Sequence, residues 1–239
     1  MTWSILARDD QGRFGVAIAS RFFAVGALCV HIQRGLGALS TQALINPLYG
    51  SAGLALLAEG KSASDVIKIL TGADAGQAQR QLHILPAAGP AAAHTGSDCV
   101  DWCGHQLGND FSVAGNMLVG PQVIHATADA YVRTQGMPLA ERLLAAMAAG
   151  EAAGGDKRGK QGAALRIHGD QDYAELDLRV DDHEQPIVEL QRLYSKSLER
   201  FQPFVKCLAG RNDPVGVTDR IEIEASIARF HAARNEQGR

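Results

Sequence analysis

The chain has 239 residues, a formal net charge of -3 and 46% hydrophobic residues. This length fits one large domain, and the apolar share is enough to bury a sizeable core. A weakly acidic chain gives no electrostatic argument for a nucleic acid or an anionic membrane as partner. No apolar run reaches the length of a membrane span, and the first residues lack the pattern of a signal peptide, so we expect a cytoplasmic protein.

The first half of the chain predicts strands joined by tight turns, followed by two helices. Residues 2–8 and 14–20 are apolar at nearly every position and flank the turn-forming run 9–13, which indicates a β-hairpin. Residues 26–33 and 36–42 predict a second strand pair. Helices are expected over 47–59, before the C-cap residue Gly60, and from Ser62 or Ser64 to Leu70.

The second half repeats this order of strands and helix pairs. The predicted strands are 80–85, 90–94, 98–106, 111–116, 163–168 and 173–180, and the predicted helices are 120–134, 138–149, 184–200 and 217–235. Short turns between strands imply antiparallel sheets, and inserted helix pairs imply helices on their outer faces. We therefore predict an α+β fold, a four-layer α-β-β-α sandwich of two mainly antiparallel sheets, over residues 2–200. Residues 201–239 are expected to form a C-terminal helical extension.

Thr2 is the residue best suited to act as a catalytic nucleophile. If Met1 is removed, Thr2 carries both a hydroxyl nucleophile and an α-amine, whose pKa is ordinarily roughly 7.7–8.0. That amine can accept the proton of its own hydroxyl, so one residue can supply nucleophile and base. A strand-edge threonine that only makes local hydrogen bonds is the structural alternative.

Two clusters of metal-ligand residue types need an interpretation. Cys99 and Cys103 lie near His94, but their spacing is not the two-residue spacing of structural zinc sites and no second pair follows, so we expect reduced thiols and no metal. A weaker hypothesis is a metal hydrolase that uses His94, Asp182 and His183. The simpler interpretation of Asp182 and His183 is a cap at the start of the helix that follows.

Several short motifs are spread from residue 2 to about residue 195. They are Thr2-Trp3-Ser4-Ile5-Leu6-Ala7-Arg8-Asp9, Gly15-Val16-Ala17-Ile18-Ala19-Ser20-Arg21, Ser40-Thr41-Gln42 with Asn46-Pro47, Ala93-His94-Thr95-Gly96, Gly115-Asn116-Met117-Leu118, Ala153-Gly154-Gly155-Asp156 with Arg158-Gly159, and Leu178-Arg179-Val180-Asp181-Asp182-His183. Together they resemble the DUF1028 family, which is assigned to the N-terminal nucleophile (Ntn) hydrolase superfamily. The resemblance implies an α-β-β-α fold and amide hydrolysis by a processed N-terminal residue, without a cofactor. One departure is Gly162, where the family often has a serine.

The resemblance and the positions of strand ends together suggest a set of site residues. The candidate catalytic residues are Thr2, Arg21, Asp156 and Asn116, and the candidate substrate-binding residues are Thr41, Gln42, Asn46, His94, Thr95 and Arg158. Arg21 would lower the pKa of the amine or orient a substrate carboxylate, and Asp156 would anchor the amine. Asn116, or the backbone N–H groups of Gly115 and Gly96, would form an oxyanion hole.

The glycine-rich run 154–162 also resembles a phosphate-cradling loop, but it lacks the Gly-Lys-Ser/Thr ending and precedes a strand. We therefore expect an Ntn-type amidohydrolase that acts on a small amide or peptide-like molecule. The alternative is an Ntn-fold protein without catalysis that binds a ligand or serves assembly. Small residues in helix 140–149 and the apolar stripe of the tail lead us to expect a homo-oligomer.

Overall fold

The computed structural model describes residues 2–237, which form two antiparallel sheets and the helices around them. The strands are β1 (Thr2–Arg8), β2 (Phe14–Ser20), β3 (Val30–Gln33), β4 (Gly37–Ala43), β5 (Arg80–Pro86), β6 (Ala92–Thr95), β7 (Trp102–Leu107), β8 (Phe111–Leu118), β9 (Gly162–His168) and β10 (Leu176–Val180). The helices are α1 (Val25–Cys29), α2 (Leu48–Ala58), α3 (Ala63–Gly72), α4 (Gln122–Arg133), α5 (Leu139–Ala152), α6 (Pro186–Glu199), α7 (Phe201–Val205) and α8 (Arg220–Gln237).

The first strand lies in the middle of the larger sheet. Its strand order is β10-β9-β2-β1-β8-β7, and the smaller sheet has the order β3-β4-β5-β6. Thr2 is in register with Ser20 of β2 and with Asn116 of β8. The start of the chain is therefore held between two neighbouring strands, one close in sequence and one more than a hundred residues away.

Side-chain alternation along β1 divides its residues between two cores. Trp3 and Ile5 pack into the cluster that contains residues of α4, α5 and α6. Leu6 points the other way and packs with Val16 and Leu85 between the sheets. Because successive side chains of a strand face opposite sides, an apolar run without polar interruptions is what a strand covered on both faces requires.

Helices cover the outer face of each sheet. Core residues of α4, α5 and α6 join those of the six-stranded sheet in one cluster, and Tyr49, Val66 and Leu70 of α2 and α3 pack on Leu39 and Leu82 of the four-stranded sheet. With the two sheets in contact through the cluster between them, the layers run α-β-β-α. The predicted α+β four-layer sandwich is confirmed.

Four predicted strands begin at least two residues later than expected, among them β6 at Ala92 and β10 at Leu176. Residues 26–29, predicted as strand, belong to the short helix α1, and β7 begins at Trp102 and not at residue 98. In α1 the buried side chains of Val25 and Cys29 are four residues apart, which is the spacing of a helical face. Gly26 between them packs so closely on β9 that a Cβ atom would meet the Cβ of Ala164. The close packing of Gly26 against Ala164 of β9 therefore favours a helix over a strand in this segment.

The last two helices of the structure lie beside the end of α6. Helix α8 spans Arg220–Gln237, close to the predicted 217–235, and the short α7 precedes it. An ion pair of 2.5 Å joins Arg200 to Glu224, and Ile227 is buried. The division of the chain at residue 200 stays a prediction. Within residues 2–237, no helix combines the length and the apolar sequence that crossing a lipid bilayer requires.

The packing of α5 on the larger sheet leads to a stability prediction. Leu143 is fully buried and lies against Gly15 of β2. Leu143→Ala should lower the free energy of unfolding by about 2–5 kcal/mol, because lost apolar contacts and a residual cavity both destabilise the core. Urea denaturation measures this change. Val132→Ala, at a position of α4 that is 52% exposed, is the control and should change it by less than about 0.5 kcal/mol. A similar loss in both variants would contradict the packing.

Candidate functional site

A cleft of about 630 Å³ opens at the start of β1, between the ends of the two sheets. Thr2, Ser20 and Asn116, neighbours on three adjacent strands, form its polar floor. All three are almost fully buried, and the hydroxyl of Thr2 donates to Ser20 Oγ at 3.0 Å. Thr2, the candidate nucleophile, therefore lies at the base of a cavity of ligand size.

The glycine-rich loop places three candidate residues beside this floor. The carboxylate of Asp156 accepts the backbone N–H groups of Arg21 and Arg158, each at 2.8 Å, and lies 3.3 Å from Nη2 of Arg158. Arg21 also binds the loop through its side chain, because its Nη1 donates to the carbonyl of Arg158 at 2.9 Å. Asp156 thus fixes the loop to the residue that follows Ser20. Of this cluster, Arg158 lines the cleft.

A buried polar network fills the space between the sheets next to the cleft. Its members lie at alternate positions of four strands and share the inner faces: Ser4 of β1, Ser40 and Gln42 of β4, Gln81 and His83 of β5, and Ser112 and Asn116 of β8. All are buried. Because an unpaired polar group in such a place is costly, the network determines how each side chain is oriented.

Gln81 determines the orientation of its neighbours. Its Nε2 lies 3.1 Å and 2.9 Å from the carbonyl oxygens of Gly104 and Gly115, which can only accept, so the nitrogen must face them. Its Oε1 then faces Gln42 Nε2 at 2.8 Å and Asn116 Nδ2 at 3.0 Å. Asn116 consequently turns its nitrogen to Gln81, and its buried Oδ1 has no hydrogen-bond partner in the described part of the chain.

The same reasoning assigns the tautomer of His83. With Gln42 Nε2 directed at Gln81, Gln42 Oε1 accepts from Ser4 Oγ at 2.8 Å. Ser4 must then accept from His83 Nε2 at 2.8 Å, and His83 Nδ1 accepts from Ser112 Oγ at 2.9 Å. Burial lowers the pKa of His83 to about 3, with a smaller contribution from His105. His83 is therefore a neutral connector between the sheets at pH 7, outside the cleft lining.

Two residues in the wall of the cleft have a strained backbone. Ala43, at the end of β4, has φ of 68°, and Met117, near the end of β8, has φ of 53°. Both line the cleft. Side chains with a Cβ rarely adopt this left-handed conformation, and such strain tends to occur at functional sites. Its occurrence at two strand ends around Thr2 supports the cleft as the candidate site.

The predicted substrate-binding residues on and after β4 are not part of the cleft lining. Thr41 faces away from Gln42 and donates its hydroxyl to the carbonyl of Asn46 at 3.1 Å. Asn46 Oδ1 accepts the backbone N–H of Leu48 at the start of α2, and its Nδ2 donates to Asp74 at 3.1 Å. These residues hold the turn from β4 into α2, and Gln42 belongs to the buried network.

The two candidates on β6 lie at a different edge of the smaller sheet. His94 Nε2 is 2.9 Å from the carbonyl of Gln77, and Thr95 accepts from Gln81 Nε2 at 2.9 Å. Neither lines the cleft. The backbone N–H of Gly96, considered for an oxyanion hole, donates to the carbonyl of Arg80 at 2.9 Å.

The metal-hydrolase hypothesis is wrong in its ligand set. Over residues 2–237, no three His, Cys, Asp or Glu side chains are grouped closely enough to hold one metal ion. Asp182 Oδ1 accepts from Gln161 at 3.1 Å, and His183 Nδ1 accepts the backbone N–H of Gln185 at 3.0 Å, just before α6. Both residues lie in the turn between β10 and α6, as expected, but neither caps the helix, because its N-cap residue is Gln185 and no described side chain accepts the first N–H groups of α6.

Ser20, Gln81 and most of the apolar wall of the cleft were not predicted as site residues from the sequence. A signal for Gln81 is present, because Gln81 and His83 are polar residues at alternate positions of β5, whose other residues after Arg80 are apolar. Such alternation predicts that one face of the strand is polar, yet both residues are buried. It does not say which strand supplies the partners.

The sequence model of a family described as "Family of unknown function (DUF1028)" matches residues 2–190. The chain belongs to this family. The crystal structure of protein SPO2555 from Silicibacter pomeroyi, also assigned to DUF1028, is similar with a TM-score of 0.84 at 30% sequence identity, covering 91% of this chain and 99% of that chain. The DUF1028 resemblance predicted from the motifs is confirmed.

Weaker similarities add nothing to this assignment. Two structures of Anbu, one described as the ancestral beta-subunit from Yersinia bercovieri and the other from Hyphomicrobium sp. strain MC1, each have 11% identity and a TM-score of 0.42, covering 82% of this chain and 94% of theirs. Similarity at that level carries no argument. No curated protein matches the sequence.

The departure at Gly162 has a steric explanation in this DUF1028 chain. Gly162 is in register with Ser20, and a Cβ at this position would lie 2.8 Å from the carbonyl oxygen of Phe22 and 3.3 Å from that of Val180. Both are backbone atoms, so a serine would require the backbone to move. The hydroxyl next to Thr2 comes from Ser20 instead.

The buried imidazole of His83 predicts a pH dependence of stability. Its pKa is lowered from 6.5 in the unfolded chain to about 3, so between these values only the unfolded chain binds the proton. The free energy of unfolding then falls by about 1.4 kcal/mol for each unit that the pH decreases below 6.5. Urea titrations at pH 7 and pH 5 should show a decrease about 2 kcal/mol smaller in His83→Gln than in the wild type.

His125→Gln, on an exposed position of α4, controls for the loss of an imidazole as such. Equal decreases in wild type and His83→Gln would contradict a neutral buried His83.

Proposed function

We propose that this DUF1028 protein is an N-terminal nucleophile amidohydrolase in which Thr2 attacks the carbonyl carbon of a small amide or peptide-like substrate. The observation that carries the proposal is the position of Thr2. Its hydroxyl lies at the base of the cleft, contacts Ser20, and has the unpartnered Oδ1 of Asn116 on the strand directly opposite. The proposal requires that Met1, which lies outside the described residues, is removed.

The chemistry follows from the two groups of Thr2. The α-amine takes the hydroxyl proton, Oγ1 bonds to the amide carbon, and the C–N bond breaks as the proton passes to the departing amine. The acyl group is then held as an ester on Thr2. Water, deprotonated by the same amine, attacks that ester, so the acid is released and the hydroxyl of Thr2 is restored. No step requires a cofactor.

Asn116 is assigned a role different from the oxyanion hole expected from the sequence. Its Nδ2 donates to Gln81, so the atom left to interact is the acceptor Oδ1. A newly exposed amine on Thr2 brings N–H donors into a buried place, where an acceptor is required. Because Oδ1 is neutral, it orients the amine without the large rise in pKa that an adjacent carboxylate would cause. Asn116 is thus a positioning residue.

The alternative is a ligand-binding or assembly protein that has the fold without the chemistry. The observation in its favour is Gly162, which cannot supply the hydroxyl that the family often has there. It predicts binding without turnover, and the same experiments separate the two functions.

The N-terminal residue and the effect of replacing Thr2 test the proposal. Intact mass and N-terminal identification of the untagged protein should show Thr2 exposed. On an amide found to be hydrolysed, Thr2→Ala should lower kcat/KM by at least roughly a thousandfold, because the hydroxyl nucleophile is lost although the amine remains. Thr2→Ser should retain measurable activity, since the hydroxyl and the amine remain. Met1 on every molecule, or full activity in Thr2→Ala, would overturn the mechanism.

The role of Asn116 predicts a change in the pH profile. In Asn116→Asp, a carboxylate next to the amine favours the ammonium form, so the acidic limb of kcat/KM should move up by roughly 1 pH unit or more. Asn109→Asp makes the same charge change at an exposed site in the turn between β7 and β8 and should leave the limb in place. If the acidic limb of kcat/KM lies at the same pH in both variants, Asn116 does not act on the amine of Thr2.

A further inference from the structure

Resting on the proposed function, we infer that the substrate is an amide whose acyl group is uncharged and apolar, with several carbon atoms beyond the scissile carbonyl. This inference comes from the walls of the cleft, whereas the proposed function rests on its floor. The two can therefore fail separately.

The walls are formed by apolar side chains from three segments of the chain. Phe22 and Leu28 come from the region of α1, Leu44 and Ile45 from the turn after β4, and Val100 from the turn before β7. Four of them are exposed to a large extent: 42% for Phe22, 45% for Leu28, 56% for Leu44 and 54% for Val100. Single exposed apolar residues are ordinary, but a set that shares one cavity indicates a surface for an apolar ligand.

The charges around the cleft point in the same direction. Among the lining residues that the structure describes, Asp98 and Arg158 carry charges, and these charges are opposite. Burial raises the pKa of the Cys99 thiol, which favours its neutral form. The guanidinium of Arg158 already contacts the carboxylate of Asp156 at 3.3 Å. A charged acyl group would lose water on entering and would meet apolar side chains over most of its surface, which is unfavourable for binding.

The apolar wall and the nucleophile are parts of one cavity. Ala43 joins β4 to Leu44, and Met117 follows Asn116 directly on β8. The left-handed φ of Ala43 turns the chain at the end of β4 into the wall segment of Leu44 and Ile45, and Met117, also left-handed, lies next to the floor residue Asn116. A carbonyl placed at Thr2 Oγ1 therefore has apolar surface next to it, and an acyl chain can cover that surface while the amide remains at the polar floor.

A homologous series of amides tests this inference. The probes are p-nitroanilides of acetic, butyric, pentanoic and hexanoic acid, with succinyl and 4-aminobutyryl anilides as charged analogues of similar length. For the wild type, kcat/KM should rise about fourfold for each added methylene, which is the effect of burying one methylene. Both charged analogues should fall at least about tenfold below the pentanoyl anilide. A flat series, or preference for either charged analogue, would overturn the inference.

A matched pair of variants locates the effect in the cleft. Leu44→Ser should lower kcat/KM for the hexanoyl anilide about tenfold, mainly through KM, and should lower it for the acetyl anilide by a smaller factor. Val132→Ser makes the same kind of change at a 52% exposed position of α4, outside the lining, and should behave like the wild type. If Leu44→Ser instead converts an oligomer into a monomer while chain length has no effect, the wall is an interface between copies and the inference fails.

Direct binding separates the two proposals. Calorimetric titration of Thr2→Ala with the same anilides measures affinity without turnover. If wild type hydrolyses none of them but Thr2→Ala binds longer chains more tightly, the hydrolase proposal fails and the apolar ligand class stands. If wild type hydrolyses them without dependence on chain length, the apolar class fails and the hydrolase proposal stands.

Discussion

The buried polar network between the two sheets depends on the orientation of one side chain, Gln81. Its amide nitrogen is directed at two backbone carbonyls of the larger sheet, while the residue itself belongs to the smaller one. From that single orientation follow the orientations of Gln42 and Asn116, and then the donor and acceptor roles of Ser4 and His83. A network of this kind stabilises one arrangement of the sheets, because any other leaves buried polar groups unpaired.

Strand register is the way in which this network determines the site. Shifting β1 by one residue against its neighbours would place Ser4 in the apolar cluster under α4 and α5 and would turn Trp3 toward the other sheet. The polar partners of Ser4 on β4 and β5 make that shift costly. Thr2 has the same parity as Ser4, so the register that satisfies the network also directs the side chain of Thr2 to the inner face, at the base of the cleft.

Much of the fold was predictable from local pattern, and the reasons for the exceptions are physical. The hairpin of β1 and β2 follows from two apolar runs around a turn, and the helix α3 begins at Ser62, whose hydroxyl accepts the backbone N–H of Asp65 at 3.1 Å. Helix α1 was missed because its conformation depends on how closely Gly26 approaches β9, more than a hundred residues away. Local periodicity carries no information about such a contact.

The site was predictable in part for a related reason. Thr2 stands out chemically, and Asn116 stands out at the end of a strand, but their pairing in register is a long-range fact. Thr41 and Gln42 show the limit most directly: they are adjacent in sequence, yet alternation sends one to the outer face and the other into the network. A strand end marks where side chains gather, and it does not decide between the two faces.

The polar floor and the apolar wall have complementary effects within one cleft. Side chains such as Phe22 and Leu44 limit the access of water to the floor, and hydrogen bonds to Thr2 are stronger where water is scarce. The same exclusion makes an unpartnered acceptor such as Asn116 Oδ1 expensive to maintain, so its presence favours a state of the chain in which a donor fills that place. In the proposed function an exposed amine on Thr2, which the register places opposite Asn116, would be that donor, and this connects the buried network with the proposed chemistry.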